Sequence, residues 1–421
     1  MPTLPVRSPA AEPPPLHLPL QGVKVVEVAQ IMAGPVCGLM LADLGAEVIK
    51  VEKFPSGDDA RHYQKPGDPA MPPSFCMINR GKRSLALNLQ TPQGKDVLKR
   101  LATQADVLTE NFRIGVMEKL GVGYEDLHAL NPALVYTSIS GYGRVGPLAG
   151  QGGFDLILQA FSGLIHATVE PGGRPVKPGV SIADINAGVL AAFGTLAAYI
   201  QRLRTGRGQR VDASLLQASM QQNYWLAATY FSTGRNTERL GTAHALIAPY
   251  QVYQCADGGI AIGGANPNAW RRICEVLGHP EWQDDPRFAS PQLRVQHVKA
   301  LEQLIEAVLQ HDSMASWCRR LEAAGVPVGP VNSPGEALEH PQTRAAGMVI
   351  DVPDGMPGCT KSLGPAVTLD GQYGQTPATS APPRVGQHSV QILREAGYRD
   401  GDIEALMACG AVGGEPAPAA A

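Results

Sequence analysis

Along the first third of the chain, short apolar runs alternate with amphipathic stretches. Residues 23–28 (VKVVEV) are rich in β-branched side chains and predict a strand. A turn over 29–35 follows, then an apolar helix over 36–44 that Gly45 stops, then a second strand over 46–52. Such a strand–helix–strand unit implies parallel pairing with a right-handed crossover. The alternation continues with strands over 84–89, 107–111 and 134–140. A helix over 92–104 opens after the N-cap candidate Thr91, and a short helical pair precedes the last of these strands. The pattern predicts a large, doubly wound, Rossmann-like α/β domain. A long helix over 185–204, a strand over 211–213 and a helix near Leu215 extend it.

The character of the chain changes over 234–247. Strands over 252–254 and 260–262, with helices over 269–277, 299–310 and 314–324, predict a smaller α/β domain. From residue 348 the chain is rich in proline, strands and loops, and it closes with a helix over 389–396. The expected organisation is a disordered leader (1–17), the large domain (18–220), a linker (221–247) and the small domain (248–335). A return linker and C-terminal part (336–409) complete the large domain, before a disordered tail (410–421).

Length agrees with this division, since 421 residues exceed what one ordinary core accommodates. With 44% hydrophobic and 17% charged residues the composition is globular. A net charge of −3 marks no general nucleic-acid or membrane surface, although a local basic pocket for a phosphorylated ligand is compatible with it. The seven cysteines are scattered without a Cys-x-x-Cys pair, and are expected to be thiols in a reducing compartment. The ten histidines lack ligand spacing, so no metal site is expected. The leader has no apolar core of signal-peptide length. The longest apolar stretch, 188–200, is too short to cross a bilayer and reads as a buried helix. A cytoplasmic protein without membrane attachment is expected.

Four features carry candidate chemistry. Gly141-Tyr142-Gly143-Arg144-Val145-Gly146 matches a dinucleotide fingerprint, but Pro147 and the glycines after it replace the required helix. A nicotinamide site is therefore excluded, and these glycines are expected to form a loop beside a ligand. Asp184 stands at the start of the long apolar helix. It is either an N-cap, worth about 1 kcal/mol, or a carboxylate nucleophile kept charged by the helix N-terminus. Gly263 and Gly264 end a strand, forming either a plain turn or a loop whose backbone N–H groups stabilise an oxyanion. Lys53, Lys82, Arg83 and Lys119 lie near strand ends or helix starts, where they are either solvated charges or holders of nucleotide-like phosphates.

These pieces occur in a familiar order. The opening Leu20 to Val28 is followed by Ala33-Gly34-Pro35, then by Leu41 to Glu52 and Asn79-Arg80-Gly81-Lys82-Arg83-Ser84. Glu110-Asn111-Phe112, Leu120-Gly121-Val122-Gly123-Tyr124, Ser140-Gly141-Tyr142-Gly143 and Thr205-Gly206-Arg207-Gly208-Gln209 come next. The combination, spanning residues 18–398, resembles the family III CoA-transferases. These include formyl-CoA, carnitine and succinate–hydroxymethylglutarate CoA-transferases. The resemblance implies a transferase that moves CoA between carboxylic acids, with acyl-CoA as substrate and no permanently bound cofactor. It places Asp184 on the catalytic aspartate, and Gly263 and Gly264 on a loop that covers aspartyl intermediates. Lys53, Leu87, Asn111, Phe112 and Lys119 fall on positions that hold CoA. Gln30, Ile31, Met32 and Ala33 fall at the site entry, where some transferases carry Gln in place of Met32. An interlocked homodimer of ring-like subunits is implied as well.

Related 2-methylacyl-CoA racemases are isomerases that need a His–Asp acid/base pair. Here Phe154, in Gly153-Phe154-Asp155-Leu156-Ile157, stands in the histidine's place and cannot exchange a proton. A non-catalytic acyl-CoA-binding protein would leave Asp184 unexplained. The run 240–250 looks most like the succinate–hydroxymethylglutarate branch, which implies succinyl-CoA and a dicarboxylate. Arg61, Arg80 and His244 are the candidate partners for a remote carboxylate.

Overall fold

The computed structural model describes residues 18–63, 71–264, 266–356, 358–372 and 374–414. Its chain forms two compact units. The first comprises residues 1–154, 183–218 and 345–421, and the second comprises 155–182 and 219–344.

The first unit is built on six parallel strands: β1 (Lys24–Val28), β2 (Glu47–Lys53), β3 (Arg83–Leu87), β4 (Val107–Glu110), β5 (Val135–Ser140) and β6 (Arg210–Ser214). Their order in the sheet is β3-β2-β1-β4-β5-β6. The chain therefore winds one way from β1 to β3 and the other way from β4 to β6. The order reverses between β1 and β4, and in such sheets the crevice outside the carboxyl ends of the strands takes the ligand. Both faces bury apolar strand residues, Val26, Leu85 and Leu108 on one and Val25, Val48 and Val107 on the other, as a parallel sheet requires. The predicted strands and the helix Pro92–Gln104, capped by Thr91, are all present.

In the second unit, β7 (Tyr250–Gln254), β8 (Gly259–Gly263) and β9 (Val328–Pro330) form an antiparallel sheet. It packs on a core containing Trp270, Ile273, Leu301, Ile305, Trp317 and Leu321. A hairpin of β10 (Val349–Asp351) and β11 (Lys361–Leu363) belongs to the first unit.

Several expectations need correction. The tail does not begin at residue 410, because β12 (Val412–Gly413) pairs antiparallel with β3 and closes that edge of the sheet. Two residues are too few to show a period in sequence. The leader and residues 415–421 lie outside the described residues. The expected linker 221–247 contains the helix Tyr224–Thr233, and residues 155–182 group with the second unit. The apolar helix is Ile182–Thr205, 24 residues long and, by length and composition alone, sufficient to cross a membrane. It is longer than its apolar stretch because polar residues occupy its ends. The cysteines are not all thiols: Cys76 and Cys359 form a disulfide across 283 residues of sequence, a pairing no local spacing reveals. It removes the cysteine argument for a reducing compartment.

Candidate active site

The carboxyl ends of the strands enclose two adjoining cavities. The first, about 390 Å³, is lined by Gln30, Ile31, Met32 and Ala33 after β1, Asn111 to Ile114 after β4, and Ile139 to Gly141 at β5. Gln151 to Phe154, Asp184 and Leu215 complete it. The second, about 350 Å³, is lined by Lys53 and Phe54 after β2 and by Leu87 to Gln90 after β3. Gln30, Asp59, Phe112 and Val116 line both. The joint space follows the carboxyl edge across the point where the strand order reverses.

Asp184 is the third residue of its helix, which starts at Ile182, so it is not the cap. In the first turn it still meets the positive end of the helix dipole. Its position depends on Gly188, one turn further along. A Cβ there would lie 2.6 Å from the Ala33 carbonyl oxygen and 2.8 Å from Val36. Only glycine lets this helix lie against the start of the helix Ala33–Asp43, which brings Asp184 beside the Gln30–Ala33 turn.

That turn is held from below by buried charge. Lys50, fully buried, donates to Glu27 Oε1 (3.0 Å) and the Ala29 carbonyl (2.9 Å), and lies 2.8 Å from Asp58 Oδ2. Lys82 donates to Glu27 Oε2 and the Pro35 carbonyl, both at 2.8 Å. The two lysines thus grip the carbonyls before and after the turn. Asp58 Oδ1 accepts the Ile31 N–H at 2.9 Å, and Ile31 sits at φ 69°, a left-handed conformation costly for a β-branched residue. Burial works against charge on Lys50, but Glu27 and Asp58 outweigh it and its pKa is raised. Burial lowers the pKa of Lys82 to about 8 although Glu27 opposes the shift.

Asn111 ties β4 to the same turn, accepting the Gln30 N–H (3.0 Å) and donating to the Gln30 carbonyl (2.8 Å). Glu110 Oε2 accepts the Phe112 N–H at 2.8 Å. Burial pushes the Glu110 carboxyl up to about 7, partly offset by hydrogen bonds from Ser138 and the Phe112 amide. A carboxyl ordinarily at 4.5 but at about 7 when folded binds a proton on folding between those values. Its contribution to stability is greatest below pH 4.5 and is lost as pH rises through 7. The unfolding free energy of Glu110→Gln relative to wild type should therefore rise from pH 5 to pH 8 by on the order of 1–3 kcal/mol. Urea unfolding at the two pH values measures this; no change in the difference would refute the buried, protonated state.

Of the expected residues, Gln30, Ile31, Met32, Ala33, Asn111, Phe112 and Asp184 share the first cavity, and Lys53 and Leu87 line the second. Lys53 is well exposed, 3.6 Å from Asp59. Lys119, on the short helix Val116–Leu120, is exposed and lines neither cavity.

Two of the carboxylate-binding candidates are otherwise engaged. Arg61 makes a bidentate pair with Glu52, both bonds 2.7 Å, and donates to the Pro383 carbonyl. Arg80 is 1% exposed, paired with both oxygens of Asp43 and with the Ala378 and Leu363 carbonyls. Arg80, which also donates through Nε to Ser362, has no donor direction left for a ligand, whereas Arg61 is held by its bidentate pair and keeps only Nη1, 3.9 Å from Met71 Sδ. His244 belongs to the second unit, where its Nδ1 accepts the Leu246 N–H in a local turn.

Gly263 and Gly264 also belong to the second unit, and their N–H groups already donate to the Pro327 and Pro249 carbonyls at 2.8 and 2.7 Å. The expectation that these two amides serve as oxyanion donors is therefore withdrawn; Ala265 lies outside the described residues. Arg113 and Gln151 line the first cavity without having been singled out in the sequence, and Gly152 lines it as part of the glycine loop expected beside a ligand. Arg113 was within reach, since it directly follows the Glu110-Asn111-Phe112 motif. The loop 150–153 offered only its glycines.

A doubly wound sheet with a carboxylate in a cavity at its switch point has its candidate ligand site where this fold class places one. The model of CoA-transferase family III matches residues 20–389, and the chain belongs to that family of enzymes. It is 36% identical over 397 residues to the succinyl-CoA:glutarate CoA-transferase of Mus musculus, covering 94% of this chain and 90% of that one. It is 38% identical over 389 residues to the succinate–glutarate CoA-transferase of Agrobacterium fabrum, covering 90% and 95%. Among solved structures, a CAIB/BAIF family protein from Brucella suis superposes with a TM-score of 0.81 at 36% identity, covering 90% of this chain and 99% of that one.

Proposed function

We propose that the protein transfers CoA from succinyl-CoA to a small dicarboxylate, glutarate or a near homologue, through covalent intermediates on Asp184. The observation that carries this reading is Asp184 in the wall of the 390 Å³ cavity, which adjoins a second cavity along the same sheet edge. The relatives named for succinate and glutarate support the choice of acids.

The Asp184 carboxylate attacks the thioester carbonyl, the C–S bond breaks, and CoA thiolate leaves a mixed anhydride. The thiolate then attacks the aspartyl carbonyl and expels the donor acid as its carboxylate, giving an aspartyl-CoA thioester. The acceptor carboxylate attacks that thioester, CoA thiolate leaves again, and the thiolate takes the acceptor acyl group from the second anhydride. Asp184 is regenerated, and one thioester replaces another without net hydrolysis. Lys53, Leu87, Asn111, Phe112 and Lys119 hold the CoA moiety in this reading. Phe154 lines the same cavity as Asp184, so no histidine stands there for racemase chemistry.

A cytoplasmic, intertwined homodimer is part of the proposal. Bare apolar side chains support the dimer: Phe193 and Leu203 on the helix Ile182–Thr205, and Trp225 and Phe231 on Tyr224–Thr233.

The test incubates the purified chain with succinyl-CoA and either glutarate or butyrate, and follows new acyl-CoA by mass spectrometry. Glutaryl-CoA should form at least about tenfold faster than butyryl-CoA, because a site built for a second carboxylate rejects an acid that lacks it. A preference for butyrate would overturn the choice of dicarboxylate.

A further inference from the structure

The contact at Gly188 secures the Asp184 helix on one side only. Asp184 and Gly188 are four residues apart and share a helix face, the one that lies against Ala33 and Val36. Asn186 stands two residues after Asp184, about 200° around a helix of 3.6 residues per turn, and so belongs to the opposite face. There its Nδ2 donates to the Ala218 carbonyl at 2.7 Å.

The acceptor is a particular one. Ala218, 0% exposed, lies in the helix Leu215–Gln221. In a continuing helix the Gln222 N–H would take its carbonyl, but that N–H donates to the Ser219 carbonyl instead, at 3.1 Å. The Ala218 oxygen is thus left over at a helix end, and the Asn186 amide satisfies it. The same short helix is tied at its start, where the Leu216 N–H donates to the Gly141 carbonyl at 2.9 Å. Leu215, Gly141 and Asp184 all line the 390 Å³ cavity. The helix Leu215–Gln221 is therefore a strut from the β5 edge of the cavity to Asn186. The start of the Asp184 helix is held from two sides, by Gly188 toward β1 and by Asn186 toward β5.

We propose that Asn186 is a positioning residue that sets where the Asp184 carboxylate meets the thioester carbonyl. This rests on the transferase reading. The attacking oxygen must stand about 3–3.5 Å from the carbonyl carbon, and a displacement near 1 Å costs on the order of 100-fold in rate. Without the Asn186 donor the buried Ala218 carbonyl has lost a partner, a cost that the two helices relieve by shifting apart. The second cavity is lined without Asp184 or Asn186, so the hold on CoA is spared. Thr195 provides the contrast. It lies three turns further along the same helix, and its Oγ1 is 2.6 Å from the Oγ1 of Thr137 in full burial, away from the cavity lining.

The experiment measures kcat and KM for succinyl-CoA, with glutarate as acceptor, in the wild-type chain, Asn186→Leu, Asn186→Ala, Asn186→Gln and Thr195→Val. Asn186→Leu, similar in size but without a donor, should lower kcat at least about tenfold while KM changes less than about threefold. Asn186→Ala carries the same expectation and decides the matter if the leucine chain does not fold. Asn186→Gln restores an amide N–H and should recover part of the loss. Thr195→Val should lower the thermal midpoint yet leave kcat within about threefold of wild type. Unchanged kcat in the Leu and Ala variants would overturn the proposal. So would a KM that rises as far as kcat falls, which would assign Asn186 to acyl-CoA binding. An equal loss of kcat in Thr195→Val would overturn it too, because the loss would then follow helix stability. Absence of CoA transfer in the wild-type chain would instead overturn the transferase reading, and this inference with it.

Discussion

Asp184→Asn and Asp184→Ala should each lower CoA transfer by about 10⁴-fold or more, because the proposed cycle has one nucleophile and neither replacement can form an anhydride. Binding of CoA should change little, since the second cavity, with Lys53 and Leu87, is lined without Asp184. As the third residue of its helix, Asp184 also interacts with the helix dipole, which is worth about 0.3–1 kcal/mol. The readouts are turnover with succinyl-CoA, CoA binding by calorimetry, and the thermal midpoint. Borohydride treatment of the wild-type chain during turnover should reduce an aspartyl thioester at residue 184, detected as a mass change in its peptide. Near-normal turnover in either variant would end the covalent mechanism.

Lys50→Met should produce the largest loss of stability, about 3–5 kcal/mol, because it leaves buried carboxylates short of a countercharge. Glu27 is 0% exposed and Asp58 2%, and both face Lys50 within 3.0 Å. Lys82 can still answer Glu27, but Asp58 loses its ammonium partner and the Ala29 carbonyl loses its donor. Asp58 is also what holds the Ile31 N–H, so transfer activity should fall together with stability as the Gln30–Ala33 turn relaxes. Arg271→Ala, which breaks the exposed pair with Glu275, is the control and should cost less than about 0.5 kcal/mol. Urea unfolding of the variants decides the matter. A Lys50→Met chain within 1 kcal/mol of wild type would show that the buried charges do not support the site.

The fate of the cation candidates illustrates how far residue type alone carries. Arg61, Arg80 and Arg113 are equal as letters. Two of them became structural because Glu52 and Asp43, distant by 9 and 37 residues, converge on them in the folded chain. The glycines show the same division. Gly263-Gly264 read as either a plain turn or a donor loop, and both N–H groups are consumed by the carbonyls of Pro327 and Pro249. Gly152 was expected in a loop beside a ligand and lines the first cavity, whereas the close approach that requires glycine at 188, against the Ala33 carbonyl and Val36, shows only in space.

The sequence by itself determined the six parallel strands, the capped helix Pro92–Gln104, the family, and Asp184 as the candidate nucleophile. The strands and the helix follow from local periodicity and turn chemistry, which need only neighbours along the chain, and the family and the role of Asp184 follow from the resemblance that the order of motifs carries. The tertiary structure alone decided the β12 closure, the Cys76–Cys359 bond, the buried Glu27–Lys50–Asp58–Lys82 cluster under the site turn, and which arginine faces the cavity. Each depends on groups tens to hundreds of residues apart, and on whether burial leaves a charge paired or a donor free, so no window of sequence contains the information.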